Sequence, residues 1–269
     1  MASPRAKPQD LERIAAALER AAEVLAEFTP GAVAAERKAG GSPVTEADRR
    51  VNEVLARLLP GPGEGWLSEE TADDLGRLAC RRVWVVDPLD GTREFVLGLP
   101  EWCVSVGLVE EGEAVAGGIV NPATGETFLG GRGLGVTRNG RPVAASRRVG
   151  LAGATVLASR NEVERGEWEA FAGGGWELRP LGSVAYKLAL VAAGVAEASW
   201  TLVPKNEWDV AAGTALVEEA GGVVQQPNGK PCRFNRPATL YPGLIACSPG
   251  VLADVLREIA ERGGSRCER

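Results

Sequence analysis

The pattern of apolar and polar positions divides the chain into two halves of different character. Apolar residues recur every three or four positions over 11–28 and again over 51–59, which predicts two amphipathic helices. Apolar runs at 102–109, 114–120 and 127–129 are separated by turn-forming residues. These runs predict an antiparallel meander, so the first half is expected to pack helices on a sheet.

Strand-like and helix-like segments alternate from about residue 154 onward. The predicted strands lie at 154–158, 177–181, 196–202, 223–225 and 244–246, and the predicted helices at 164–171, 184–193, 208–220 and 249–262. Alternation of this kind is typical of layered α/β structure. We therefore expect an α/β protein with an α+β N-terminal half at residues 1–145, an α/β half at residues 146–269, and a cleft between them.

A glycine-rich stretch at 130–135 has the spacing of a dinucleotide-binding loop. Such a loop must follow a strand and open a helix, because the cofactor phosphates bind at the helix N-terminus. Here the stretch follows a meander strand and runs into the turn-forming pair at 139–140. We therefore predict a bulge and a hairpin at this position.

Composition narrows the class of protein. The 269-residue chain contains no histidine, which excludes Ser-His-Asp triads, phosphohistidine chemistry and histidine-based metal sites. Its net charge of −6 argues against a nucleic-acid polymer as partner, and no apolar run is long enough to cross a membrane. The five cysteines form no C-x-x-C pair, and the first residues lack the apolar core of a secretory signal. We expect a cytoplasmic protein.

The candidate chemistry begins where the apolar run at 83–86 ends in Asp87 and Asp90. Two carboxylates held together repel each other unless a cation lies between them. The next residues, Gly91 and Thr92, offer backbone amides that can bind an anion. A metal beside a phosphate is one interpretation, and a strand followed by an Asx turn is the other.

Acidic residues in three further segments support the metal interpretation. Glu69 follows a short apolar run, Asp209 lies in the first turn of the predicted helix at 208–220, and Asp48 follows Thr45 at the start of the second helix. Each has a structural explanation on its own, since Asp209 can cap its helix and Thr45 with Asp48 can form a capping box. Together with the motif at 87–92, these acids form a set that is harder to explain by local structure alone.

This set resembles the motifs of the inositol monophosphatase superfamily, which contains magnesium-dependent, lithium-sensitive phosphatases of small phosphate monoesters. The matching segments are 43–48, 69–70, 87–92 and 208–213, in the family's order and spacing, and the likeness runs from about Lys38 to the end. The resemblance implies a layered αβαβα sandwich of the inositol monophosphatase and fructose-1,6-bisphosphatase type. It also implies a possible homodimer.

The resemblance assigns metal ligands to five positions. The implied ligands of one Mg²⁺ are Glu69, Asp87 and the carbonyl of Leu89, and those of a second are Asp87, Asp90 and Asp209. A third, weaker ion is implied at Glu69. Members of the family often carry an acid two positions after a lysine like Lys38, where this chain has Gly40, so two or three ions are expected. Carboxylate and carbonyl oxygens are the ligands that Mg²⁺ prefers.

The resemblance also implies the residues that act on the substrate. Asp48 and Thr92 match the pair that activates the attacking water, and the implied substrate contacts are Gly91, Thr92, Gly182 and Ser183. Lys187 and Arg160 could bind a second phosphate, because lysine and arginine donate strong hydrogen bonds to anions. The alternative for these two residues is solvated surface charge.

Segments 67–70, 87–95 and 206–209 are most similar to the 3′(2′),5′-bisphosphate nucleotidase branch. That branch implies hydrolysis of the 3′-phosphate of adenosine 3′,5′-bisphosphate. Inositol phosphatases carry an acid before the Trp-Asp pair, where this chain has the uncharged segment 201–204. Inositol 1-phosphate, a sugar bisphosphate or histidinol phosphate remain alternative substrates. A catalytically silent anion-binding module is the alternative of a different class.

Overall fold

The computed structural model describes residues 3–37 and 43–263, so the predicted joint around Gly40 lies outside the described residues. The helices of the described chain are α1 (Pro8–Leu25), α2 (Glu46–Leu58), α3 (Thr92–Val96), α4 (Arg160–Glu164), α5 (Val184–Ala192), α6 (Glu207–Glu219) and α7 (Leu252–Arg262). Its first nine strands are β1 (Ala35–Arg37), β2 (Pro43–Thr45), β3 (Glu64–Ser68), β4 (Arg82–Asp90), β5 (Cys103–Glu110), β6 (Glu113–Asn121), β7 (Glu126–Gly131), β8 (Gly135–Arg138) and β9 (Arg141–Val143). The others are β10 (Thr155–Ser159), β11 (Glu177–Leu181), β12 (Ala198–Thr201), β13 (Lys205–Asn206), β14 (Val223–Gln225), β15 (Leu240–Tyr241) and β16 (Leu244–Cys247).

Seven strands of the first half form one sheet in the order β3-β4-β5-β6-β7-β8-β9. β3 and β4 run parallel, and every later neighbouring pair is antiparallel, which confirms the predicted meander. The glycine-rich stretch forms the tight connection between β7 and β8, where Gly131 pairs with Gly135. The predicted hairpin is therefore confirmed, but the predicted bulge is not, because β7 and β8 pair in a regular register.

Both faces of this sheet are covered, which explains the continuous apolar run of β4. Trp84 and Val86 pack in one core with residues of α1 and α2, whereas Val83 and Val85 pack in another core with residues of α5 and α6. Successive side chains of a strand point to opposite faces, so a strand buried on both sides has no polar alternation. The length of the run is a consequence of the layering.

The second half forms a five-stranded mixed sheet in the order β11-β10-β12-β16-β14. Leu157 and Ala246 of this sheet share the core that contains α5 and α6, and Val156 packs on its other face with Val255 of α7. The layers are therefore α1 and α2, the first sheet, α5 and α6, the second sheet, and α7. This is the expected αβαβα sandwich.

The change from one sheet to the other falls between Val143 and Thr155. The division into residues 1–145 and 146–269 stays a prediction, because α5 and α6 share one core with both sheets. None of the helices in the described part of the chain combines the length and the apolar character needed to span a bilayer.

Helix α6 packs unusually close to the first sheet because β5 and β6 present glycines to it. A Cβ atom at Gly117 would lie 2.3 Å from the carbonyl oxygen of Ala212, and one at Gly107 would lie 2.9 Å from the Cβ of Ala211. Any side chain at either position would force the helix away from the sheet. The close approach brings the N-terminal turn of α6 to the end of β4.

One predicted helix is wrong. The segment 164–171 was expected to be helical, but α4 ends at Glu164 and only a short 3₁₀ turn follows at Glu169–Phe171. Gly166, with φ of +74°, interrupts the segment in a conformation that no helical residue adopts. The apolar side chains that suggested a helix, Trp168 and Phe171, instead pack around Trp200 of the second sheet.

Candidate metal centre

The site begins where β4 leaves its regular pairing with β5. Asp87 pairs with Ser105 and Asp90 with Cys103, so the β4 segment contains one residue more than its partner and forms a bulge. Inside the bulge, the amide of Leu89 donates a hydrogen bond of 3.0 Å to Oδ1 of Asp87. This Asx turn was one of the two interpretations of the sequence, and it coexists with the acidic cluster described next.

Three acids from three elements converge at this bulge. Glu69 follows β3, which lies parallel to β4, Asp87 lies at the end of β4, and Asp209 lies in the first turn of α6. One carboxylate oxygen from each of them lies within 4.8 Å of the other two. Asp209 also accepts a hydrogen bond of 2.8 Å from the amide of Asn206, the N-cap residue of α6. It therefore belongs both to the capping box of this helix and to the acidic cluster.

The electrostatics of this cluster fit a divalent cation. Burial, reinforced by the charges of Glu69 and Asp90, raises the pKa of Asp87 well above its usual value. Burial, together with Asp90 and Glu69, raises the pKa of Asp209 to about 8. Like charges at this separation are costly in the absence of a counter-ion. A hard cation would offset that repulsion, and carboxylate oxygens with a backbone carbonyl are the donors it prefers.

The predicted ligands Asp90 and Leu89 border this cluster. The carbonyl of Leu89 accepts a hydrogen bond of 2.9 Å from Oγ1 of Thr92, and the residue lines the same cleft. Oδ2 of Asp90 accepts hydrogen bonds of 2.6 Å from Oγ of Ser183 and from the amide of Ala185. Asp90 is therefore tied to the N-terminus of α5, and only its other oxygen is left for a metal.

Asp48 and Thr92, the predicted water-activating pair, are in contact. Oγ1 of Thr92 lies 2.9 Å from Oδ1 of Asp48, while Oδ2 of Asp48 accepts hydrogen bonds from the amide and the hydroxyl of Thr45 at 2.8 and 2.6 Å. The capping box of α2 is therefore present, and it holds the buried carboxylate against Thr92. Burial raises the pKa of Asp48 despite these hydrogen bonds.

A cleft of about 240 Å³ opens beside the acids. Its walls contain the five predicted metal ligands, Glu69, Asp87, Leu89, Asp90 and Asp209, and the predicted substrate contacts Gly91, Thr92, Gly182, Ser183 and Lys187, whereas Arg160 is not among them. The structure thus places these residues in one cavity. Their individual roles as ligands and contacts stay predictions.

Three further residues of the cleft were not singled out in the sequence. Ser159 is the last residue of β10 and Asn161 lies just after it. This strand runs parallel to both of its neighbours, and ligands commonly bind at the carboxyl ends of such strands. That signal was available in the alternating pattern of the second half. Glu94 is almost completely buried, and burial raises its pKa. It gave no sequence signal beyond its place after the motif.

Neither Lys187 nor Arg160 is a solvated surface charge. The buried amino group of Lys187 donates to the carbonyl oxygens of residues 181, 182 and 183, at 3.3, 3.1 and 2.7 Å. Burial lowers its pKa to about 8. Arg160 forms a two-pronged ion pair with Glu101, which also accepts a hydrogen bond of 2.7 Å from the amide of Gly182. Both cations therefore hold the loop before α5 in place.

Two basic side chains, Lys205 and Arg93, line the cleft together with the acids, and each of them is paired with a glutamate. Nζ of Lys205 lies 3.5 Å from a carboxylate oxygen of the buried Glu162, and its backbone is held by the pairing of β13 with β15. Arg93 lines the same cleft and forms an exposed ion pair of 2.9 Å with Glu164. The cleft therefore combines acids that fit cations with two basic side chains that could contact an anion.

Comparison with known proteins agrees with this geometry. The sequence model of the inositol monophosphatase family matches residues 7–264. Inositol-1-monophosphatase of Rhizobium meliloti (strain 1021) is 34% identical over 230 residues, covering 81% of this chain and 83% of that protein.

Two solved structures have the same fold. The solved structure of an IMPase from Thermotoga maritima is similar with a TM-score of 0.83 and 29% identity, covering 96% of this chain and 98% of that one. CysQ from Bacteroides thetaiotaomicron, described as a bacterial member of the inositol monophosphatase family, has a TM-score of 0.73 and 28% identity, covering 89% of this chain and 97% of that one.

Proposed function

Since this chain belongs to the inositol monophosphatase family of phosphatases, we propose that it hydrolyses a small phosphate monoester with Mg²⁺ as cofactor. The observation that carries the proposal is the convergence of Glu69, Asp87 and Asp209, whose carboxylate oxygens lie within 4.8 Å of one another. Glu69, Asp87 and the Leu89 carbonyl would hold one ion, and Asp87, Asp90 and Asp209 a second. A third ion at Glu69 remains part of the proposal.

The bound cations would lower the pKa of a water molecule and neutralise charge on the leaving oxygen. The chain itself orients that water. Oγ1 of Thr92 lines the cleft and has two protein acceptors, Asp48 and the Leu89 carbonyl, for its single proton. Its lone pairs therefore accept a hydrogen bond from water in the cleft. As water attacks phosphorus, its proton would pass through Thr92 toward Asp48. The ester P–O bond would break, and the displaced ester oxygen would leave as an alcohol after taking a proton from a solvent water.

Replacing Thr92 by valine should lower kcat about 100-fold, the usual contribution of a positioned acid–base group. The isosteric side chain removes the hydroxyl while every acid of the cluster stays. Steady-state kinetics at saturating Mg²⁺ measures the effect, and Thr92→Ser, which keeps the hydroxyl, should remain within about tenfold of wild type. A valine variant with wild-type kcat would remove Thr92 from the mechanism.

For the substrate we propose adenosine 3′,5′-bisphosphate, with release of the 3′-phosphate. The support is the presence of Lys205 and Arg93 in the cleft, since a substrate with one phosphate at the acids could place a second anionic group near them. Rates of phosphate release from adenosine 3′,5′-bisphosphate, inositol 1-phosphate, fructose 1,6-bisphosphate and histidinol phosphate, with Mg²⁺ or a chelator, test the choice. The highest kcat/KM should belong to the adenosine bisphosphate.

Inositol 1-phosphate is the second candidate substrate. It is favoured by the likeness to the Rhizobium meliloti protein, which is named an inositol-1-monophosphatase and is 34% identical. The same panel of substrates decides between them, because a higher kcat/KM for inositol 1-phosphate would replace our first choice. Equal loss of both activities in the chelator is expected in either case, since both substrates would depend on the same cations.

The proposed role of Lys205 gives a sharper test. Lys205→Met should lower kcat/KM for adenosine 3′,5′-bisphosphate about tenfold and leave inositol 1-phosphate within about twofold of wild type, because only the former has a second phosphate to lose a charge-assisted hydrogen bond. Lys205→Arg, which keeps the charge, serves as the control. A methionine variant that loses both activities equally would show that Lys205 supports the fold through Glu162 rather than selecting the substrate.

We also propose that the enzyme works in the cytoplasm as a homodimer on small-molecule substrates. Four cysteines of the described chain, Cys80, Cys103, Cys232 and Cys247, are free thiols, as is usual in a reducing compartment. Light scattering of the purified protein would give the subunit number.

A further inference from the structure

Ser183 occupies a backbone conformation that favours glycine. Its φ is +47° with ψ of 122°, and it lies immediately before α5. A residue with a side chain is strained in this region, and such residues persist where the surrounding structure holds them for a purpose. Glycine precedes it at position 182, so the chain has a serine at the very place where a second glycine would be relaxed. The side chain of Ser183 therefore needs an explanation.

The hydroxyl of Ser183 is completely used. Its Oγ lies 2.6 Å from Oδ2 of Asp90, 3.0 Å from the amide nitrogen of Tyr186 and 3.3 Å from Sγ of Cys103. A hydroxyl has one proton and two acceptor positions. The Ser183 hydroxyl donates its proton to Oδ2 of Asp90 and accepts a hydrogen bond from the amide of Tyr186, so the Cys103 thiol can only donate to its remaining lone pair.

These contacts determine how Asp90 is turned. Oδ2 of Asp90 accepts hydrogen bonds from Ser183 and from the amide of Ala185, both at 2.6 Å. Both donors belong to the N-terminus of α5, which packs in the layer between the two sheets. With two donors on one oxygen, the carboxylate has a single orientation in which the opposite oxygen is left for the cleft that Asp90 lines.

We propose that Ser183 is a positioning residue for the metal centre rather than a contact of the substrate. Its hydroxyl, together with the amide of Ala185, holds Asp90 so that the free carboxylate oxygen meets the second cation. The inference rests on the proposed function, because it takes Asp90 as a ligand of that ion. The strained backbone of Ser183 is then explained by its contribution to metal affinity. The buried Cys103 thiol donates to the serine hydroxyl, which leaves the serine proton directed at Asp90.

Binding of Mn²⁺ to metal-depleted protein tests this inference without any turnover. Isothermal titration calorimetry should show two classes of site in the wild type. In Ser183→Ala and Ser183→Gly, the Mn²⁺ affinity of one class of site should fall about 10- to 100-fold, which is the usual effect of removing a residue that orients a metal ligand. The Mn²⁺ affinity of the other class should be unchanged. The glycine variant relieves the backbone strain, so its melting temperature should be at least that of the alanine variant.

The control is Ser199→Ala, which removes a buried hydroxyl from β12. It should bind both ions with wild-type affinity. Wild-type affinity for both ions in the two Ser183 variants would overturn the inference, and wild-type affinity with a raised KM would return Ser183 to the role of substrate contact. If the wild type hydrolysed no phosphate ester while the variants still lost Mn²⁺ affinity, the proposed function would fail and the positioning role would stand.

Discussion

Asp87→Asn is expected to reduce phosphatase activity below about a thousandth of wild type. Asp87 is the acid that the other members of the cluster surround, and its carboxylate would bridge both cations. An amide keeps the size of the side chain but loses the charge, so the affinity for both ions should fall together. The same substitution removes a buried charge that Glu69, Asp90 and Asp209 repel. The metal-free variant should therefore melt at a higher temperature than metal-free wild type.

The two outcomes together separate a ligand from an ordinary structural acid. Asp254→Asn is the matched control, because Asp254 accepts a hydrogen bond from Leu151 and pairs with Arg257 far from the cluster, which lowers its pKa. It should keep full activity and lose a little stability. Kinetics in Mg²⁺ and thermal melts in chelator measure both properties. An Asp87→Asn protein that is active, or one that melts lower than wild type in chelator, would contradict the assignment.

The stability of the metal-free protein should fall as the pH rises from about 4 to about 8. The pKa of Asp209 is raised from 3.8 to about 8 in the folded chain, with burial as the largest cause and Asp90 and Glu69 next. Between these values the folded state binds more protons than the unfolded state, so the free energy of unfolding decreases with pH. The contribution of Asp209 to the stability is therefore complete below a pH of 3.8 and is lost as the pH rises through about 8.

Saturating Mg²⁺ should flatten this pH dependence, because the cation replaces the protons on the cluster and binds most tightly when the acids are ionised. Thermal melts from pH 5 to pH 9, in chelator and in Mg²⁺, measure both curves. Asp209→Asn is the control, since it should have a shallower slope in chelator and gain stability at pH 8, while the remaining slope comes from Asp87 and other buried acids whose pKa is raised. A slope that is the same in the variant would assign the pH dependence to other groups.

Much of the fold could be predicted because its cause is local. The run Val83–Val86 is apolar because β4 is buried on both faces, and the spacing of α1 and α2 follows from one buried side. The prediction of a helix at 164–171 was wrong because the cause of its apolar pattern is not local. Its apolar residues pack on Trp200, a contact between distant segments, and Gly166 interrupts the helix between them. Periodicity alone does not separate these two origins of an apolar pattern.

The candidate site also has features that the sequence predicted and features that depend on the tertiary structure. The resemblance of the acidic motifs to those of the family implied that Glu69, Asp87 and Asp209 share metal ions, and the structure brings one carboxylate oxygen of each within 4.8 Å of the others. The surroundings of Lys187 could not be predicted from the sequence, because its amino group binds backbone carbonyls whose positions depend on the loop before α5. Arg160 pairs with Glu101, which is 59 residues away in sequence. Residue type predicted a charge near the cleft, and only the tertiary structure shows what that charge binds.

Acids from three separate parts of the chain are proposed to share divalent cations. The most direct measurement is anomalous diffraction from a crystal soaked in Mn²⁺. We expect a peak about 2.1 Å from carboxylate oxygens of both Glu69 and Asp87, and a second peak bridging Asp87 to Asp209 beside Asp90. A well-ordered crystal with no anomalous density at this cluster, or with these side chains directed to separate places, would contradict the account.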